Sequence, residues 1–356
     1  MALHFDEREY RDLMNRLVAA MSDQKLDAML LFAQESMYWL TGYDTFGFCF
    51  FQSMIVTKTG DIALLTRSAD LRQARHTSNV SNIIIWEDRA GARPTSDLKN
   101  LLSDMDLLGM RIGVEYDSVG LTARHGKALD DDLMTFADLV DASLLITNLR
   151  AIKSEAEIVF IKEAATLGDH ALVVARPLIK AGADEGAILA AMQGAVLEGG
   201  GDYPGNEFII GSGEDALLCR YKSGRRKLSH DDQLTLEWAG AYRRYHAALM
   251  RTIVVGKPSE RHLELYDACV AALQAVEVAM RPGNTFGTVF DSHAKAMEDA
   301  GLTRHRLNAC GYSLGAHFTP CWMDMPMFYH GNDAAIVPNM SLFAHMIIMD
   351  SDSGCA

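Results

Sequence analysis

The sequence predicts an α/β (α+β) chain in two domains, and three observations predict it. Strand-sized apolar runs alternate with helical periodicity as far as about residue 145, which is the pattern of a complete α/β domain. The pattern changes at Leu149-Arg150-Ala151-Ile152-Lys153-Ser154, where a long amphipathic helix begins. Beyond it two strands, one bearing a lone carboxylate among small residues, follow each other with two arginines between them. At 356 residues the chain is too long for one ordinary core and comfortable for two. The expected domains are 1–148 and 149–356.

Each element has its own signal. Leu13, Leu17, Val18 and Met21 recur at helical spacing with charges between them. Leu26 to Phe32 is a short buried strand, and Ser36 begins a helical segment ended by Gly42. Strands are expected at Ser53–Thr57, Ile62–Leu65, Ile83–Trp86 and Gly113–Glu115. Ser154 with Glu157 three residues on is a capping box, opening a helix through Ile158, Ile161 and Ala165. A second helix covers Asp184–Glu198. The glycines of Glu198-Gly199-Gly200-Gly201-Asp202 follow a helix and lack a GKS/T ending, so they read as a turn and not a phosphate loop. Strands follow at Phe208–Gly211, Gln233–Tyr242 and Tyr245–Val255. Helices are expected at Glu260–Met280, stopped by Pro282-Gly283, and near Val289–Ala300. Met340–Met349 reads as a strand.

Composition excludes several classes. Apolar residues make up 49% and charged residues 22%, the balance of a globular protein. The net charge of −14, with no basic stripe, argues against a nucleic-acid partner. No run approaches a membrane span, and the polar, acidic N-terminus does not read as a signal peptide. The six cysteines are scattered and form no CxxC pair, so they read as free thiols in a cytoplasmic protein.

The chemistry is expected on the strand pair Gln233 to Thr252. Leu234, Leu236 and Trp238 alternate with Thr235, Glu237, Ala239 and Ala241. One face is bulky and apolar, and the other is small and carries one carboxylate. If Arg243-Arg244 is the tip of a hairpin, Tyr242 pairs with Tyr245 and Glu237 with Met250. His246 and Ala248 then share the face of Glu237. The plain alternative is a glutamate ion-paired within a sheet.

Longer stretches resemble a known family. LVAAMSDQKLDAMLLFAQESMYWLTGYD is similar to the N-domain of the creatinase, prolidase and Xaa-Pro aminopeptidase (M24) family, and LRAIKSEAEIVFIKEAA looks like the start of its catalytic domain. EWAGAYRRYHAALMRT looks like the family's Asp-x-Gly…Asp-x-Thr-Arg-Thr hairpin. GYSLGAHFTP stands where the family has Gly-His-Gly-Ile-Gly, and PNMSLFAH where it has Pro-Gly-Met and a metal-binding Glu. The resemblance implies a creatinase-type N-terminal domain followed by a pita-bread catalytic domain, here expected without its final strand. It also implies a homodimer.

The departures change the implied chemistry. Metal peptidases of the family hold two divalent ions with two Asp, one His and two Glu. The matching positions here are Glu237, Ala248, Tyr312 and His345, and the last Glu position falls after Ala356. One Glu and one displaced His are too few ligands, so no metal and no cofactor is expected. The family's substrate-binding His is replaced in Leu218-Cys219-Arg220-Tyr221. A metal-free, ectoine hydrolase-like branch has a Glu-x-Ala-Gly…Tyr-x-x-Tyr-His…Arg-Thr hairpin and a Gly-Tyr-Ser-[Ile/Leu]-Gly loop. This chain matches them with Glu237 to Gly240, Tyr242, Tyr245-His246, Arg251-Thr252 and Gly311 to Gly315.

The expected activity is metal-independent hydrolysis of a non-peptide C–N bond in a small carboxylate-bearing substrate. The expected catalytic residues are Glu237 as nucleophile or base, His246 as proton shuttle and Tyr312 as hydrogen-bond donor. Arg220, Tyr221, Tyr245, His317 and His345 are expected to bind substrate, Arg220 through its planar fork. Two alternatives remain: an Xaa-Pro-type metallopeptidase, and a non-catalytic small-molecule-binding protein.

Overall fold

A computed structural model of the chain describes residues 3–218, 220 and 225–356. It divides into two compact units, Met1–Arg150 and Ala151–Ala356.

The first unit contains α1 (Glu7–Asp23), β1 (Ala28–Leu31), α2 (Gln34–Thr41), β2 (Ser53–Thr57), β3 (Ile62–Arg67), α3 (Leu71–Thr77), β4 (Ile83–Trp86), α4 (Pro94–Asp104), β5 (Arg111–Val114), α5 (Ala123–Leu133), β6 (Asp138–Asp141) and α6 (Ser143–Ala151). Its six strands run in the order β4-β3-β2-β1-β5-β6. β1 is antiparallel to β2 and parallel to β5. Ala28 and Leu30 enter one core while Met29 and Leu31 enter the other. Burial on both faces explains why β1 reads as an unbroken apolar run and not an alternation. The first turn of α2 has no side-chain cap of its own. The buried carboxylate of Glu115 serves there, accepting from the N–H groups of Phe32 and Ala33 at 2.9 Å and the hydroxyl of Ser36 at 2.6 Å.

The second unit opens with α7 (Glu155–Ala175), whose Ser154–Glu157 capping box forms with both hydrogen bonds present. α8 (Glu185–Glu198), β7 (Ile209–Ser212), β8 (Asp232–Tyr242) and β9 (Tyr245–Val255) follow, then α9 (Glu260–Ala279) and α10 (Phe286–Asp299). β10 (Gly311–Ser313), β11 (Asp324–Met327) and β12 (Leu342–Ala344) form a second small sheet, ordered β11-β10-β12. The expected strand Met340–Met349 is thus only Leu342–Ala344, with isolated bridges at Met340 and Ile348. Among the described residues no helix is long and apolar enough to cross a membrane.

The β8–β9 hairpin is held from behind by α7. Trp238 donates its indole N–H to the Gly168 carbonyl at 2.8 Å. A Cβ on Gly240 would stand 1.8 Å from the Ala164 carbonyl oxygen and 2.6 Å from the Gly168 nitrogen, so strand and helix approach where both lack a side chain. Gly240→Ala is therefore expected to push the hairpin off α7. We expect a loss of about 3 kcal/mol in urea unfolding, against no loss if the helix simply shifts.

Candidate functional site

The hairpin register decides which side chains share a face. Tyr242 pairs with Tyr245, Ala241 with His246, Ala239 with Ala248 and Glu237 with Met250. Arg243 and Arg244 form the two-residue tip, with φ of 48° and 66°, a backbone that usually selects Asn or Gly. Side chains offset the strain here. Asp202 accepts from the Arg244 N–H at 3.0 Å, and the guanidinium groups of Arg243 and Arg244 lie over Phe160 and Phe318 at 4.8 and 5.1 Å.

Glu237 and His246 do share a face, but they do not meet. His246 stands opposite Ala241, four residues up the strand, or about 13 Å of strand from Glu237. His246 is fully buried, and its Nε2 accepts from the Gly205 N–H at 2.8 Å. Its Nδ1 faces the Gly315 carbonyl at 3.4 Å. Both nitrogens are engaged, and burial pushes the imidazole down to about 3. The expected proton shuttle is corrected to a neutral tie between β9 and the two loops that carry Gly205 and Gly315. Tyr245 belongs on the other face, because successive strand residues alternate. Its hydroxyl meets the buried carboxylate of Glu157 at 3.0 Å and its ring packs at 5.7 Å from Phe160. It braces α7 against the hairpin and does not reach a substrate site, contrary to expectation.

Glu237, Arg220, Tyr312 and His345 converge instead. They line one cavity of about 340 Å³, together with Asn308 and the apolar side chains of Met323 and Met327. Burial pushes the Glu237 carboxyl up to about 7, while the Arg220 charge opposes the rise. Tyr312 sits on β10, which its predecessor Gly311 places against β12. A Cβ on Gly311 would lie 2.1 Å from the Phe343 carbonyl oxygen, and φ there is +148°. The Tyr312 hydroxyl accepts from the Trp322 indole N–H at 3.0 Å and keeps its own proton to donate. Burial and the Glu237 charge raise its pKa, so it stays neutral. His345 packs its ring 5.9 Å from Tyr312.

Two further expected contacts fall elsewhere. His317 does not line the cavity; its Nε2 lies 3.7 Å from the buried carboxylate of Asp324. That pairing takes it out of the substrate contacts expected for it. Tyr221 lies outside the described residues. A second cavity, of about 370 Å³, shares His345 and Ile347 with the first, and its described lining includes no Asp or Glu side chain. The Glu237 cavity is therefore the candidate site.

Residues 160–355 match Metallopeptidase family M24, and residues 14–152 match the Creatinase/Prolidase N-terminal domain. The chain belongs to metallopeptidase family M24. Over 331 residues it is 28% identical to an uncharacterized hydrolase/peptidase of Sinorhizobium fredii, covering 90% of this chain and 84% of that one. It is 26% identical over 361 residues to the ectoine hydrolase of Halomonas elongata, covering 96% and 89%. Its fold matches the Xaa-Pro dipeptidase of Bacillus anthracis with a TM-score of 0.80 at 20% identity, covering 94% of this chain and 88% of that one. The chain is thus an M24-family hydrolase with a creatinase-type N-terminal domain.

The family name implies a metal, and the cavity's donor set does not fit one. Among the described lining residues Glu237 is the sole carboxylate, and Arg220 is a cation that acts on it. Ala248, which shares its strand face, offers no donor atom. Among the described residues, the His, Cys, Asp and Glu atoms that lie at metal spacing are those of His305, Asp350 and Asp352. They are away from this cavity, and Asp350 is already held by Arg261 at 2.7 Å and Ser353 at 2.8 Å.

Two site features escaped the sequence. Trp322 fixes the Tyr312 hydroxyl from a loop ten residues away. His293 lies buried on α10 and acts on His345. Its signal was present: it occupies the apolar stripe Val289, Phe290, His293 and Met297, where an imidazole is out of place.

Proposed function

We propose that this chain hydrolyses a C–N bond of a small carboxylate-bearing cyclic amidine, or a closely related substrate, with Glu237 as the reacting carboxylate and without metal. The observation that carries the reading is Glu237, half-buried and the one carboxylate among the described lining residues, sharing a cavity with Arg220 and Tyr312. A protonated amidine is a cation, and its arrival beside Glu237 favours the ionised carboxylate that attack requires. Arg220 offers a planar fork to the substrate carboxylate. Glu237 either attacks the amidine carbon or takes a proton from the water that does. In the base route the water oxygen forms the new C–O bond, the ring C–N bond breaks, and the leaving nitrogen takes the proton that Glu237 removed from water; in the covalent route the C–N bond breaks as the Glu237 ester forms, and water then cleaves that ester and restores the carboxylate. Amidine and water thus become an amide and an amine. Tyr312 donates to the charge that develops during attack. The family relationship and the 26% identity to an ectoine hydrolase support this substrate class.

Incubation with ectoine, followed by NMR and mass spectrometry, tests the proposal. Ring opening with the gain of one water is expected; ectoine left intact, together with cleavage of an Xaa-Pro dipeptide, would favour the peptidase reading. The same proposal places the enzyme in the cytoplasm as a homodimer. Sedimentation of the purified chain at twice the monomer mass is the expected result for the dimer.

A further inference from the structure

The proposed reaction leaves one task unassigned. His246, with both nitrogens engaged, and His317, whose Nε2 lies beside Asp324, are not among the described residues that line the cavity. His345 lines the cavity but is uncommitted: its Nδ1 is buried and has no hydrogen-bond partner. The same holds for Nδ1 of His293 and for Nε of Arg306. The three border one apolar cluster: Arg306 lies 5.3 Å over the Phe290 ring, the His293 ring is 5.7 Å from the same ring, and the His345 backbone N–H donates to the carbonyl of Cys310, which packs in that cluster. A buried nitrogen without a partner is unfavourable, so three in one neighbourhood call for an explanation.

We propose that Arg306, His293 and His345 form a directional hydrogen-bond line that ends in the Glu237 cavity. His345 presents a ring N–H to the substrate, and His293 is the positioning residue that determines which ring nitrogen carries it. The direction follows from chemistry. A guanidinium only donates, so the line starts at Arg306. An imidazole that accepts on Nδ1 carries its hydrogen on Nε2 and donates from there. His293 therefore accepts from Arg306 and donates to Nδ1 of His345, and His345 donates from Nε2 into the cavity. Neither hydrogen bond is closed in the structure, so the line forms only when the rings rotate or a water bridges them. The line rests on the reading of the cavity as a reaction site, because only a substrate gives its last N–H an acceptor.

The surroundings favour an uncharged pair. Glu237, Arg220 and Tyr312 face His345 across the cavity. His293 on α10 lowers the His345 pKa, Arg306 does the same to His293, and the Cys310 carbonyl accepts from the His345 backbone N–H at 3.0 Å. Cys269 on α9 donates to the next residue's carbonyl, that of Met346. Burial pushes both imidazoles down to about 4, with His293 and Arg220 adding to the effect on His345. A neutral imidazole can still donate to developing negative charge, and it does not repel a cationic substrate.

The test is ¹⁵N NMR of histidine-labelled full chain, with His345 assigned by loss of its signals in His345→Asn. The expected result is an Nε2–H tautomer for His345 at pH 7, lost or mixed in His293→Leu and retained in His293→Gln, whose amide reaches the donating Nε2 position. With ectoine as the probe, His293→Leu should lower kcat about 10-fold with KM within about 2-fold, and His293→Gln should recover most of it. An Nδ1–H tautomer in the unmodified chain, or one unchanged in a folded His293→Leu, overturns the proposal. Because the tautomer is read without turnover, a failure of ectoine as substrate is distinguished from a failure of the line.

Discussion

Glu237→Gln should lower kcat by about 10³-fold while leaving the fold intact. The substitution keeps the size and the strand position, and it removes only the charge and the nucleophilic oxygen. In the unsubstituted chain kcat/KM should rise with pH through about 7, the value to which burial pushes Glu237. The sign follows from the role: the carboxylate reacts ionised, and its raised pKa means that ionisation is complete only above neutrality. The amide has no proton to lose, so this limb of the profile should vanish in Glu237→Gln. Stopped kinetics at several pH values check both statements, and retained turnover in the variant would remove Glu237 from the mechanism.

Arg220→Ala should act in two ways at once. Loss of the fork to the substrate carboxylate should raise KM by about 10- to 100-fold. Loss of the positive charge removes what opposes the effect of burial on Glu237, so the acid limb of kcat/KM should move to higher pH. Arg220→Lys separates the two effects. It retains the charge and holds the limb near its original place, but it lacks the fork and recovers KM only in part. A limb that stays still in Arg220→Ala would mean that the two groups do not communicate.

Much of this was legible in the sequence for a physical reason. The alternation of Leu234, Leu236 and Trp238 with Thr235, Glu237 and Ala239 follows from the two-residue period of a strand, so the face of Glu237 could be read directly. The register was harder, because two arginines at a tip with positive φ contradict turn preference. It is set by Asp202, Phe160 and Phe318, which are distant in sequence. Face is not proximity, and His246 shows the difference: it shares the face of Glu237 but lies four positions along the strand, tied to Gly205 and Gly315. β6 was missed because Asp138-Leu139-Val140-Asp141 is a half-exposed edge strand with an acid at each end. β10 and β11 were missed because each has only three or four residues and their partners are set by long-range pairing.

The central claim is that Glu237 hydrolyses a C–N bond without metal. The most direct measurement is ectoine turnover by protein of known metal content, with and without chelator, beside Glu237→Gln. The account predicts hydrolysis that is unaffected by chelator, that proceeds without stoichiometric metal and that is lost in Glu237→Gln. Stoichiometric bound metal, with Xaa-Pro dipeptide cleavage abolished by chelator, would contradict it.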